Sequence, residues 1–186
     1  LKIFIALLHY PVYNREREII STQITNLDFH DISRAAKTYG VDKYYVATPF
    51  KSQQELAKKI IGHWTEGYGA EYNEFRKEAL INTSIVSGLD DILTEIESEY
   101  GVEPKLIATA AKGRSRQIDF LTMRKNLEDN DEPHLLLFGT GWGLADELII
   151  KSDYVLEPIK GDSNYNHLSV RSAVAIVLDR LFGLRQ

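Results

Sequence analysis

His134–Leu144 reads HLLLFGTGWGL, and its two halves carry different messages. The first half, His134–Phe138, is an apolar run with no polar alternation. A strand of that kind is buried on both faces, which happens in parallel sheets flanked by helices. The second half places Gly139, Thr140, Gly141, Trp142 and Gly143 just past the carboxyl end of that strand. Ligands of open parallel sheets bind beyond such ends. Glycines let a ligand approach the backbone, and amides at a helix N-terminus favour acceptor groups. A tight strand-to-helix turn would use the same glycines, so the cluster alone leaves both readings open.

Outward from this stretch the same rhythm repeats. Towards the C-terminus, Leu144–Ile150 reads as a short helix, Tyr154–Leu156 as a strand and Ser169–Leu181 as one long apolar helix. Towards the N-terminus, strands are expected at Lys2–Leu8, Lys43–Ala47, Thr83–Val86 and Lys105–Ala108. Helices are expected at Asp28–Tyr39, Ser52–Trp64, Asn73–Leu80, Asp90–Glu99 and Ile118–Leu127. Asp28 or Asp31 is available to cap the first helix, Ser52 and Glu55 form a possible capping box, and Gly40 and Gly101 are terminators. About six strands alternating with helices predict an α/β fold, a parallel sheet with helices on both faces. No repeat or linker interrupts the 186 residues, so one domain spanning 1–186 is expected.

Composition narrows the chemistry. There is no cysteine, which removes disulfides, thiolate metal sites and cysteine nucleophiles and fits a cytoplasmic protein. Net charge is −5, from 22 basic and 27 acidic residues, so any nucleic-acid contact must rest on a local basic patch. No apolar run is long enough to span a membrane, and Leu1–Tyr10 lacks the basic leader of a secretory signal. His9, His63 and His134 show no ligand spacing, and no metal is expected.

Three predicted strand ends bear unusual residues: Ala108–Gly113 followed by Arg114, Ser115 and Arg116; the glycine cluster; and Glu157–Gly161 with its continuation to His167. A dinucleotide-binding reading draws on Glu157, 18 residues past Gly139. It is set aside because only 47 residues of this sequence follow Gly139, too few for the rest of such a domain. The site is therefore expected to be built from the C-terminal part of the chain.

In this arrangement the sequence resembles the SPOUT methyltransferases. Arg34 within DFHDISRAAKTYG (Asp28–Gly40), followed by Val41, resembles their first motif. LLLFGTGWGL (Leu135–Leu144) resembles the second. Val155–Leu178 resembles the third, with Ile159 before a loop and His167–Ala173 opening the last helix. The order of the motifs and their C-terminal placement are the specific part. The resemblance implies a trefoil-knotted C-terminal sheet edge, rare among folds, with S-adenosylmethionine bent into the knot. It implies cofactor contacts from Thr109, Ala110, Phe138, Gly139, Thr140, Gly141, Leu156, Glu157, Pro158, Ile159, His167, Leu168 and Ser172. It also implies a homodimer in which the last helix forms much of the interface and each site borrows residues from the partner.

The chain departs from the family pattern at Asp28 and His30, where Asn and Gly are common, at Gly139-Thr140-Gly141, where a glycine-X-glutamate is common, and at His167–Val170. Methyl transfer from a sulfonium is an in-line displacement, so alignment and proton removal are the protein's tasks. Arg34 and Asn166 are the expected catalytic residues; a surface arginine paired with a local acid is the plainer reading of Arg34. Asn164 and His167 sit on the same loop as Asn166, where turn formation would also use such residues. His30 and Asp31 are candidates for base or cap, with capping favoured for Asp31. Lys112, Arg114 and Arg116 are the expected RNA contacts, or else a solvated loop. The aromatic segment Trp64–Tyr72 suits helix packing around a turn, or stacking of an unpaired base. The function expected is methylation of tRNA or rRNA on a base or ribose. The competing readings are a non-catalytic dimerisation module that binds the cofactor and assists another enzyme, and methylation of a small molecule or protein.

Overall fold

The structure, a computed structural model, describes residues 1–163 and 165–184. Asn164 therefore lies outside the described residues. Elements run in the order β1 (Lys2–Leu8), β2 (Val12–Tyr13), β3 (Ile19–Ile20), α1 (Asn26–Thr38), β4 (Lys43–Ala47), α2 (Lys51–Thr65), α3 (Tyr68–Tyr72), α4 (Glu74–Leu80) and β5 (Thr83–Val86). They continue with α5 (Leu89–Tyr100), β6 (Lys105–Ala108), β7 (Gln117–Ile118), α6 (Phe120–Glu128), β8 (Pro133–Gly139), α7 (Asp146–Lys151), β9 (Tyr154–Leu156) and α8 (Val170–Phe182).

Seven strands form one sheet in the order β5-β4-β1-β8-β6-β9-β7, every pairing parallel. The apolar run His134–Phe138 lies within β8, at the centre of the sheet, with β1 and β6 as neighbours. Its side chains divide with period two. Leu136 and Phe138 join Ile5 and Leu7 in a core closed by Phe29 and Ile32 of α1, Met123 of α6 and Val174 and Leu178 of α8. Leu135 and Leu137 join Phe4 and Ala6 in a second core under Ile92 of α5 and Leu148 of α7. Helices cover both faces, which is why the strand needs no polar alternation.

The expected and observed elements differ where local chemistry outweighs periodicity. The seventh strand is β7, only two residues long, pairing Gln117 and Ile118 with Val155 and Leu156. It takes the start of the expected helix, which instead begins at Phe120 behind Asp119, whose Oδ1 accepts from the Thr122 amide at 2.9 Å. Thr25, not Asp28 or Asp31, caps α1, its hydroxyl accepting from the Asp28 amide. No side chain caps α2: Ser52 already lies inside a helix that starts at Lys51. Gly101 ends α5 in the left-handed conformation, as its position predicts.

Candidate cofactor and substrate site

The carboxyl ends of β6, β8 and β9 open onto one cavity of about 710 Å³. Its walls come from Thr109–Lys112 after β6, Phe138–Leu144 after β8, and Leu156, Glu157 and Ile159 after β9. Asn166–Val170 and Ala173 at the start of α8 close another side. The remaining wall comes from residues 13–15, 17, 22, 23, 25 and 28, which lie between β1 and the first turn of α1.

That last wall is a β-hairpin. β2 and β3 pair antiparallel, and Asn14 closes the turn by accepting the Glu18 amide on its side-chain oxygen at 2.8 Å. The hairpin is fastened to the glycine loop. The Tyr13 amide donates to the Gly143 carbonyl at 3.0 Å, and the Trp142 amide donates to the Tyr13 carbonyl at 2.8 Å. This fastening explains two of the glycines. A Cβ on Gly141, at φ +58°, would lie 2.8 Å from the Tyr13 oxygen, and one on Gly139 would lie 2.6 Å from the Leu144 nitrogen. Both are required by the packing of the loop itself.

Behind the loop runs a partly buried chain of hydrogen bonds. The Thr140 hydroxyl donates to the Leu8 carbonyl at 3.3 Å, and the Thr22 hydroxyl bonds the Thr140 hydroxyl. His9 Nδ1 lies 2.9 Å from the Thr22 hydroxyl. Since the Leu8 carbonyl can only accept, each hydroxyl donates toward it, and His9 must carry its proton on Nδ1. Nε2 is buried without a hydrogen-bond partner. Burial pushes the His9 pKa down to about 4, so the ring is neutral at physiological pH.

Two charged clusters face the cavity. Asp28 is buried at the start of α1, with Arg171 Nε 3.8 Å away. Burial raises its pKa, against the lowering effects of the Thr25 hydrogen bond and Arg171. At the rim, Asp146 binds two arginines at once. Arg114 donates to its Oδ1 at 2.7 Å and Arg17 to its Oδ2 at 2.8 Å. Burial would raise the Asp146 pKa, but the two guanidiniums hold it below the usual carboxylate value. The Arg17 guanidinium also lies 4.3 Å from the centre of the Tyr13 ring.

Of the expected cofactor residues, Thr109, Ala110, Phe138, Gly139, Thr140, Gly141, Leu156, Glu157, Ile159, His167 and Leu168 line the cavity. Pro158 is buried and outside the lining. Ser172 is outside it too, its amide donating to the Ser169 cap at 3.2 Å while Ser169 lines the wall. Glu157 Oε1 accepts from the Phe120 amide at 3.2 Å. Asn166 lines the cavity and donates to the Ala111 carbonyl at 2.8 Å, tying two of the loops together. Arg34 is exposed on α1 and does not line the cavity. Lys112 and Arg114 line it; Arg116 does not. Asp31 lies 3.8 Å from Arg171. His30 is edge-on to Trp64, and the Arg76 guanidinium sits 4.3 Å from a Trp64 ring centre, so Trp64 packs locally, whereas Tyr68 and Tyr72 stack on each other and are exposed; none of the three lines the cavity. The hairpin wall, Asp28 and Trp142 were not among the expected site residues. Applying the strand-end rule to Leu8, at the end of β1, would have pointed to the hairpin. Among the described residues no cluster of His, Asp and Glu side chains is placed to hold a metal, and no helix is long and apolar enough to cross a membrane.

Comparison with known proteins is consistent with this architecture. A family described as SAM-dependent RNA methyltransferase matches residues 2–183. An uncharacterized protein of Aquifex aeolicus is 39% identical over 180 residues, covering 97% of this chain and 88% of its own length. A tRNA (guanine-N(1)-)-methyltransferase of Oleidesulfovibrio alaskensis is 41% identical over 181 residues, and the chain spans only 42% of that protein. Among solved structures, the SpoU methyltransferase AviRb of Streptomyces viridochromogenes, in complex with AdoMet, aligns with a TM-score of 0.59 at 16% identity, covering 97% of this chain and 57% of that one. The cavity has the size and the mixed apolar and polar lining that S-adenosylmethionine needs. By its match over nearly the whole sequence, this chain belongs to the SAM-dependent RNA methyltransferases.

Proposed function

We propose that the chain is a single-domain, homodimeric SPOUT-type enzyme that methylates a base or ribose of tRNA or rRNA in the cytoplasm. The observation that carries this reading is the convergence of the three C-terminal loops on one cavity beside the Asp146-bound arginines. The cofactor brings a methyl group on a sulfonium that leaves as a neutral thioether. The chain's residues then have to align the acceptor and take its proton where it has one. Asp28, a buried carboxylate in the cavity wall, is the candidate to accept that proton. Lys112 and Arg114 supply positive charge for the RNA backbone at the same mouth, and Asn166 fixes the loop facing them.

Two further parts rest on the family resemblance. A trefoil knot is supported by β9 lying between β6 and β7 and by the Asn166 tie across the loop that follows β6. A homodimer is supported by the position of Arg34, a motif residue exposed on α1 and outside its own chain's cavity. The name of the Oleidesulfovibrio relative makes tRNA the first substrate to try.

Calorimetric titration with S-adenosylmethionine tests the site, comparing wild type with Ala110→Trp, which fills the wall after β6. Saturable binding lost in the variant, with an unchanged circular dichroism spectrum, is expected. Labelled-methyl transfer to unmodified tRNA and rRNA transcripts should follow. Binding without transfer to any RNA would favour the second reading, a non-catalytic cofactor-binding module. That reading draws on the acidic net charge of −5 and on the longer relative in which the chain matches only a part. No binding to wild type would sink the cofactor site itself.

A further inference from the structure

From the mouth of the cavity we infer that the acceptor is an unpaired nucleotide, its base stacked on a shelf formed by Trp142, His167 and Tyr165 and its phosphate held by Arg17 and Arg114. The inference rests on the RNA methyltransferase reading and adds the form of the substrate. Trp142 and His167 line the cavity, yet both are exposed, Trp142 to 54%. Tyr165 is 74% exposed, and its ring centre lies 5.3 Å from that of His167, which is 6.2 Å from that of Trp142. Three adjoining aromatic rings left open to solvent at the mouth of a ligand cavity are costly unless something covers them. Their backbone is also fixed. The Trp142 amide donates to the Tyr13 carbonyl, and between the other two the Asn166 side chain donates to the Ala111 carbonyl, tethering that loop. The shelf is stepped, its rings meeting edge to face at 73° and 63°, and each exposed ring face takes the face of a base, which is available only when the base is out of a duplex.

The charge beside the shelf fits the same ligand. Arg17 and Arg114 come from segments far apart in the chain, and Asp146 brings them together by giving one carboxylate oxygen to each. Each guanidinium spends one terminal nitrogen on this pairing and retains further donors. A phosphate approaching the pair meets two forks already oriented, with Arg15 and Lys112 also lining the cavity. The net charge of the chain is −5, so this concentration of cations at one opening is a local feature.

The chain has two tryptophans, so Trp64→Phe leaves Trp142 as the sole indole reporter. Protein of that background, saturated with S-adenosylhomocysteine, is titrated with a single-stranded RNA dodecamer and with the same strand annealed to its complement. The single strand should quench Trp142 fluorescence saturably, and the duplex should bind roughly tenfold or more weakly and leave the emission unchanged. Tyr165→Ala should weaken single-strand binding roughly tenfold and Tyr165→Phe should restore it. Arg17→Ala and Arg114→Ala should each reduce the slope of log affinity against log salt by about 0.7. Equal affinity for the two RNAs, or a Tyr165→Ala variant with undiminished single-strand binding, would overturn the inference. Cofactor titration of the same preparations keeps the two readings apart. A protein that binds the cofactor but shows no quench loses only the shelf; one that binds no cofactor loses the site reading whatever the RNA does.

Discussion

His9 shows how a residue with no ligand spacing can still shape the site. Its Nδ1–H, through the hydroxyls of Thr22 and Thr140, fixes the side chain of Thr140 on the cavity wall, while its buried Nε2 has no partner that could share a charge. The ring has an ordinary pKa of 6.5 unfolded and about 4 in the fold. The unfolded chain therefore binds the extra proton first as pH falls, and the stability present above pH 6.5 is lost progressively on the way down to about pH 4. The full shift corresponds to a loss on the order of 3 kcal/mol. Denaturant unfolding at several pH values should show this fall in the wild type and a flatter profile between pH 4 and 6.5 in His9→Asn, which keeps a donor near Thr22 but cannot titrate. Parallel profiles for the two proteins would mean that His9 is not the titrating group. The glycines illustrate the opposite limit on reading a sequence. Gly139 and Gly141 were legible as special positions, but both a ligand and a tight turn explain them equally well. Only the 2.8 Å approach that a Gly141 side chain would make to the Tyr13 oxygen assigns that glycine to packing.

At the scale of elements, strands of three residues or more were legible and the two-residue ones were not. β1, β4, β5, β6 and β9 fall where the sequence placed them, each a run of strand formers set between turn or helix signals. β2, β3 and β7 are two residues each, too short for any period, and exist because other segments offer them partners. The hairpin was missed for that reason, and with it a whole wall of the site. Helix α8 joins both scales. Ser169 caps it, accepting from the Ser172 amide, and also lines the cavity, whereas Ser172 does not. Ser169→Ala should therefore cost about 1 kcal/mol, a fall of roughly 2–4 °C in Tm for a chain of this size. Ser172→Ala, which keeps the amide donor, should lower Tm by less than half as much. Equal shifts in thermal melts would place the stabilisation outside the cap.

For the whole molecule, the expected arginine and the cavity do not meet within one chain. Arg34 is exposed on α1, three residues past Asp31, which faces Arg171 at the start of α8. α1 and α8 pack side by side, so a two-fold interface over this pair would present each Arg34 to the partner's mouth. Such sharing was only implied by the family resemblance, because a motif residue reads the same along one sequence whether it serves its own site or its neighbour's. The arrangement makes a prediction that a self-contained site does not. Arg34→Ala keeps an intact cavity without its arginine, and Ala110→Trp keeps the arginine but fills its own cavity, so each alone should be inactive. Coexpressed with distinct tags, the two form mixed dimers carrying one complete site. With random pairing, half of the dimers are mixed and methyl transfer should return to about a quarter of the wild-type rate. Purified mixed dimers that remain inactive would confine Arg34 to its own chain, and the sharing of the site between subunits would have to be abandoned.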